Sequence, residues 1–275
     1  MWNAWLIYDK EGAKRNQDYI QYHIDAGKEW DIQFSLIMED ELVLPLESKP
    51  DFAIVRTIRP QLSKKLEKEG IRIFNNAMVS EICNDKGKTI RYIKEHTNVP
   101  VLETVSFFNH ELSKELLSRY PNCVMKAIDG HGGKQVFRTE DDFDDIKREI
   151  RNSDFIIQPF QKGPGKDVRV YVIGDEIVGA VERESQDGFK ANFSLGGTVR
   201  NYSLSEKEKS QIKDITDVFS FGMVGIDFLL DEKGNFVFNE IEDVVGARML
   251  FQCQPDIKLL ERYFSFIIDK MLQYH

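Results

Sequence analysis

The chain has 275 residues, 41% hydrophobic and 30% charged, with a formal net charge of −9. This is the composition of a soluble globular protein, long enough for one large domain or two to three small lobes. The acidic balance excludes broad binding to nucleic acid or anionic membrane, which needs a basic footprint, but leaves room for a local basic pocket around one small anion.

No apolar run approaches a membrane span. The N-terminal "MWNAWLIYD" has no basic segment before its apolar residues, so it is expected to be a first strand and not a signal peptide. Cys83, Cys123 and Cys253 stand far apart without CxxC spacing. Three buried thiols in a reducing cytoplasm are expected, with no disulfide or zinc site.

Over residues 1–80, strand-like and helix-like stretches alternate: "AWLIYD", a helix near 16–29, "DIQFSLI", "DFAIVR", a helix near 61–69, and "IRIFN". That order predicts a parallel-sheet lobe with crossover helices. Asn84 or Asp85 can cap a helix that Asn98 and Pro100 end. "HELSKELLSRY" and "TEDDFDDIKREI" read as amphipathic helices, the second opening on Thr139 with an acid three residues later. From Phe155 the pattern turns to hairpins, one with its turn at Gly174–Asp175. A capped helix at 205–219, two further strands and a last helix at 256–273 complete the chain. Boundaries near 80 and 157 divide it into 1–80, 81–157 and 158–275.

Four places can carry chemistry. In "VGIDFLLDEKGNFVFNEIED", a loop at 232–235 puts Asp227 opposite Glu240, so that Asp227, Glu240 and Glu242 share one face. A one-residue slip would turn Asp227 away. Read alone, these are either hard-oxygen ligands for Mg²⁺, completed by substrate phosphates, or solvated edge carboxylates. "KAIDGHGGKQV" places Lys126 at a strand end before Gly130, Gly132 and Gly133, whose backbone N–H groups can close on phosphates; an ordinary β-turn is the alternative. Neither a P-loop nor a Rossmann fingerprint is present. Asp167 and Arg169, two apart on one strand, read alone as a salt-bridged exposed face. Arg56, just after a strand, can hold a substrate carboxylate, since ligands of open α/β sheets gather at strand carboxyl ends, or form a surface ion pair. Arg248 is a weaker candidate on the same logic, and Asn75–Asn76 follow another strand.

The ordered set of Lys86 before a helix, Lys126 before a glycine loop, "QPFQ", "DVR", "KAN" with "GG", an Asp strand and "NEIE" resembles the ATP-grasp superfamily. Within it the chain is similar to the RimK-like carboxylate–amine ligases, over nearly its whole length. The resemblance implies an α/β ATP-grasp fold of three lobes, α+β in the two that hold ATP. It implies that Lys86 and Lys126 contact ATP phosphates, with Lys126 also reaching toward the adenine, and that the loop at 130–134, including Gly132 and Gly133, folds over them. Pro159, Phe160 and Gln161 match the hinge that reads the adenine edge, and Asp167 the ribose-binding acid. Arg169 matches the arginine that steadies the transferring phosphoryl group, with Lys190 and Asn192 nearby. Asp227, Glu240 and Glu242 match ligands of Mg²⁺ or Mn²⁺.

The implied reaction joins a small-molecule or peptide carboxylate to an amine acceptor through an acylphosphate, in the cytoplasm, with no nucleic acid or membrane partner. A homo-oligomer is left open. An ATP-grasp kinase, or a nucleotide-binding protein without turnover, is the alternative. Glu242 stands where many relatives carry Asn, Lys190 replaces an Arg, Pro159 replaces a frequent Glu, and "DVVGARML" replaces the usual Ser-Ser-Pro-Gly continuation. These departures bear on metal charge, phosphate grip and acceptor choice.

Overall fold

Short apolar runs separated by helices build a parallel sheet from β1 (Trp2–Tyr8), β2 (Ile32–Met38), β3 (Phe52–Val55) and β4 (Arg72–Phe74), in the order β2-β1-β3-β4. The computed structural model describes residues 1–43, 45–133, 135–161, 163–184 and 198–273. β1 pairs in parallel with both β2 and β3, so the connections run to opposite sides of β1 and a topological switch point lies between β1 and β3. All four residues of β3 are buried, as expected for a parallel strand covered on both faces. Crossovers run through α1 (Lys10–Arg15), α2 (Gln17–Lys28) and α3 (Pro60–Lys68), the last starting on a proline that needs no N–H partner there.

α4 (Ala77–Cys83) and α5 (Lys86–His96) follow. Asn76 caps α4 by accepting from Val79 N (2.8 Å), and Asp85, not Asn84, caps α5 by accepting from Lys88 N (2.9 Å). The apolar faces of these helices, Val79, Cys83, Ile90 and Ile93, pack into the core of the last sheet rather than into that of the sheet that comes next.

That next sheet is antiparallel: β5 (Val105–Phe107), β6 (Cys123–Ala127), β7 (Val136–Arg138) and β8 (Phe155–Pro159), ordered β5-β8-β6-β7. α6 (Lys114–Ser118) and α7 (Phe143–Ile150) cover it and bury Leu116, Leu117, Ile146 and Ile150 in a core of its own. The cap of α7 is Asp142, whose Oδ1 accepts from the backbone of Asp144 and Asp145, and not Thr139. Thr139 is still tied to the hairpin: its N–H donates to Cys123 O (3.0 Å) and its hydroxyl to Tyr120 O (2.7 Å).

The third sheet contains β9 (Lys166–Ile173), β10 (Glu176–Glu184), β11 (Thr198–Asn201), β12 (Met223–Leu230) and β13 (Phe236–Glu242), ordered β11-β10-β9-β12-β13. α8 (Glu206–Thr216) starts on a capping box between Ser205 and Glu208. After β13 come α9 (Arg248–Cys253) and α10 (Leu259–Leu272). The expected last helix at 256–273 thus starts three residues later, and α9 precedes it. α10 buries Leu260, Phe264 and Ile267 among Phe34 and Phe52 of the first sheet and Tyr171 and Ile173 of the third, which fuses those two sheets into one core.

Asn75 adds a polar fastening. Its Nδ2 donates to Met223 O (3.0 Å) and Asp243 O (2.7 Å), and its Oδ1 accepts from Gly222 N (2.6 Å). Of the three free thiols only Cys83 is buried; Cys123 and Cys253 reach the surface in part. Among the described residues no helix is long and apolar enough to cross a membrane.

Candidate active site

Two irregularities in the third sheet decide which charges meet. At the tip of the β12–β13 hairpin Leu230 faces Phe236, one residue out of step with the register expected from a loop at 232–235. Continued straight down, that pairing would put Asp227 opposite Asn239. A bulge at Asn239 absorbs one residue, and Asp227 faces Glu240 after all. In the β9–β10 hairpin the turn at Gly174–Asp175 pairs Ile173 with Glu176, which would bring Glu182 opposite Asp167. A bulge at Val178 shifts the strand, so Arg183 stands there instead.

The result is a lattice of alternating charge across four strands. Arg169 donates from Nε and Nη2 to the two oxygens of Asp227 (2.7 Å each), and from Nη1 and Nη2 to those of Glu242 (2.7 and 2.6 Å). Arg183 grips Asp167 in the same two-pronged way (2.7 and 2.6 Å) and reaches Asp227 Oδ2 (2.7 Å). Asp167 and Arg169 are therefore buried, not an exposed ion-paired face. Asp227 is fully buried, and burial alone would push its carboxyl up; Arg169 and Arg183 outweigh that and hold it down to about 2. Asp167 has Arg183 as its main counterion, and burial raises it to about 6. Glu242 is raised by burial against the pull of Arg169, while Lys86 overcomes the same cost at Glu240 and lowers it.

Both lysines arrive from outside this sheet. Lys86, in the first turn of α5, donates to Gly130 O and stands 3.1 Å from Glu240 Oε2. Lys126, on β6, donates to Asn239 Oδ1 (2.8 Å); burial lowers its ammonium to about 8. In the glycine turn Gly132 and Gly133 adopt φ of 65° and 69°, a left-handed conformation that L side chains resist. Lys86, Lys126, Gly132, Gly133, Phe160, Gln161, Asp167, Arg169, Asp227, Glu240 and Glu242 all line one cleft of about 300 Å³. Gly163 lines it too, and a Cβ there would stand 2.1 Å from Leu230 O. Pro159 ends β8 and does not line the cleft, whereas the Phe160 ring lies under the Arg138 guanidinium (3.9 Å).

Asp227, Glu240 and Glu242 each offer an oxygen within 4.8 Å of the others, a set of hard donors fit for a divalent ion. Lys134, Lys190 and Asn192 lie outside the described residues. Arg248 is the exposed first residue of α9, away from the cleft lining. Arg56 is buried and hence not a surface ion pair; it too lies outside the cleft. Arg183 and Asn239 are functional candidates that sequence reasoning missed, because each owes its position to a bulge.

A family model for the RimK-like ATP-grasp domain matches residues 67–262, a span that contains every charged residue of the cleft. The chain belongs to the RimK-like ATP-grasp family. It is 32% identical to the uncharacterized protein MG011 of Mycoplasma genitalium, over 98% of this chain and 94% of that protein. Human N-acetylaspartylglutamate synthase A is 29% identical over 92% of this chain and 73% of its own length. The fold matches the solved D-alanine–D-alanine ligase from Bacillus anthracis complexed with ATP, with TM-score 0.75, covering 100% of this chain and 98% of that one at 14% identity. This RimK-like ATP-grasp protein is an ATP-dependent carboxylate–amine ligase, and the nucleotide cleft of such an enzyme must bring cations to phosphate.

Proposed function

We propose that the charged cleft runs this ligation through an acylphosphate, with ATP lying between the segments 81–157 and 158–275. The observation that supports it is the meeting of Lys86, Lys126 and Arg169 with Asp227, Glu240 and Glu242 beside a glycine turn, drawn from elements far apart in sequence. A carboxylate resists an amine at neutral pH until its oxygen becomes a leaving group. In the first step a substrate carboxylate oxygen attacks the γ-phosphorus, the bond to the bridging oxygen breaks, and ADP departs with that electron pair. In the second the amine nitrogen attacks the acyl carbon, the acyl–oxygen bond breaks, and phosphate and a proton are released.

Lys86 and Lys126 hold the phosphates, the glycine turn covers them, and Phe160 and Gln161 border the base. Asp167 holds the ribose. Asp227, Glu240 and Glu242 would hold Mg²⁺ or Mn²⁺, and Arg169 already lies across two of them as a cation. Such an ion would neutralise phosphate charge and orient it. Arg169 must release at least one carboxylate to reach the phosphoryl group, and Arg183 stays behind as the counterion of Asp227. The human relative is named for joining N-acetylaspartate and glutamate units, which supports a small-molecule acid and amine as substrates.

The test is hydroxylamine trapping with ATP and candidate acids, in Mg²⁺ after EDTA treatment. We expect a hydroxamate, and a kcat about 10²–10³ lower for Arg169→Ala with substrate KM little changed, the loss typical of one donor to developing charge. A stable phosphorylated product without hydroxamate would refute the ligation chemistry.

A further inference from the structure

The carboxyl ends of β1 and β3 carry a second constellation, separate from the nucleotide cleft. Tyr8 closes β1, Arg56 follows β3, and their backbones join where Arg56 N donates to Ile7 O (2.7 Å). This is the switch point of the parallel sheet, where the divergence of the two connections leaves a crevice for ligands. Tyr19 of α2 forms a wall, its ring 5.4 Å from the Arg56 guanidinium carbon.

Arg56 is 7% exposed, yet among the described residues no carboxylate lies within ion-pair distance of it. Its side chain donates from Nη2 to Val245 O (2.9 Å). The nearby acid, Asp243, is engaged by Asn84 Nδ2 (3.0 Å). Arg56 Nε and the hydroxyls of Tyr8 and Tyr19 are all buried and make no hydrogen bond of good geometry among the described residues, and both tyrosines stand in the field of the guanidinium. A buried guanidinium normally has an anion, and buried hydroxyls a partner, because leaving either unmet is costly. Three buried donors are thus unmet in the surroundings of one positive charge.

The cover of this crevice touches the active site. Val245, whose carbonyl Arg56 holds, packs where a Cβ on Gly225 would meet it at 2.7 Å and Arg169 Cδ at 3.2 Å. We propose that Arg56, Tyr8 and Tyr19 form an anion subsite for a second carboxylate of the acid substrate, the one that does not react, with Val245 and Gly246 as its lid. The inference rests on the ligase reading for which carboxylate is meant, but the subsite itself makes no use of ATP chemistry. It selects acids carrying two carboxylates over the monoacid that lacks the second one.

The test is thermal shift and calorimetry on the full chain with glutarate, butyrate and chloride, without nucleotide. Glutarate should bind and raise the melting temperature, with butyrate and chloride at least tenfold weaker. Arg56→Lys should lose that preference, and Tyr8→Phe settles the case where Arg56 variants fail to fold. Deleting an unmet buried hydroxyl should raise the melting temperature of the free protein while weakening glutarate about tenfold, the worth of one hydrogen bond to a charged group. A nucleotide analogue should bind Tyr8→Phe as it binds the wild type. Equal binding of glutarate and butyrate, or Tyr8→Phe with unchanged glutarate affinity, overturns the subsite. Glutarate binding together with a stable phosphorylated product and no hydroxamate would instead leave the subsite standing and remove the acylphosphate chemistry.

Discussion

Arg169 and Arg183 meet carboxylate oxygens at 2.6–2.7 Å on the third sheet, while Arg56, equally buried on the first, meets among the described residues a carbonyl and aromatic rings. Among the described residues four acids, Asp167, Asp227, Glu240 and Glu242, face four cations, Lys86, Lys126, Arg169 and Arg183; the fifth cation of the lining, Lys166, pairs with Glu182 and Glu184, the first shared with Arg200, so the cleft with its ion partners is neutral. The switch point keeps a positive charge with no carboxylate at ion-pair distance among the described residues. The first arrangement lets a highly charged site fold before any ligand arrives; the second holds back part of the molecule's stability for a ligand to supply.

The largest effect should come from breaking the neutral side. Asp227→Asn keeps the shape but strips the charge shared by Arg169 and Arg183, and should destabilise the fold by about 3–5 kcal/mol. Urea unfolding measures it, and a loss below about 1 kcal/mol would erase the contrast with Tyr8→Phe, where stability is expected to rise.

A smaller effect separates the two regions by pH. His23 is fully buried in the first lobe, its Nδ1 bonded to Tyr19 O (2.8 Å), and burial lowers it to about 3. Below the ordinary value of 6.5 the unfolded chain takes up a proton that the folded state refuses. Its contribution is therefore complete above pH 6.5 and drains as the pH falls toward 3, by about 2–3 kcal/mol between 6.5 and 4.5. Asp167 and Asp243, each raised to about 6 chiefly by burial, act in the opposite sense: the folded state binds their protons first and gains stability between 6 and 3.8. The difference in unfolding free energy between wild type and His23→Leu isolates the histidine, and should move by that amount against the wild type. A difference that is flat with pH would contradict the burial argument.

The smallest effect concerns a cation of the cleft whose hydrogen-bond partner is neutral. Lys126 has a neutral partner, Asn239, so Lys126→Met should raise the KM for ATP about tenfold, or about 1.4 kcal/mol, with a lesser change in unfolding free energy. Initial-rate kinetics beside a denaturation curve decide it.

Most of the architecture could be read in advance, since alternating apolar runs and caps such as Ser205–Glu208 and Asp85 are local. The convergence of Asp227, Glu240 and Glu242 was also legible, although through a loop one residue too short. Counting along straight strands assumes a fixed register, and a bulge is a long-range compromise that no local pattern announces. The same blindness hid Arg183, since an unbulged β10 would offer Glu182 to Asp167. α9 was missed because its six residues, "RMLFQC", carry no side-chain cap. The burial of Arg56 depends on α2 and on the turn after β13, nearly two hundred positions away, and so could not be seen from "VRTIR".

Because α10 and Asn75 weld the first sheet to the third, those two move as a single frame, and Lys86 travels with it through the packing of α5. The sheet of β5 to β8 has its own core and is the natural moving jaw. Lys126 belongs to the jaw and Asn239 to the frame, so their 2.8 Å hydrogen bond is one catch spanning the gap, beside those from Lys86 to Ile128 O and Gly130 O. A label pair placed on β6 and β13 would then report jaw position directly, and Asn239→Ala, by removing its catch, would shift the resting aperture toward open while leaving both rigid parts undistorted.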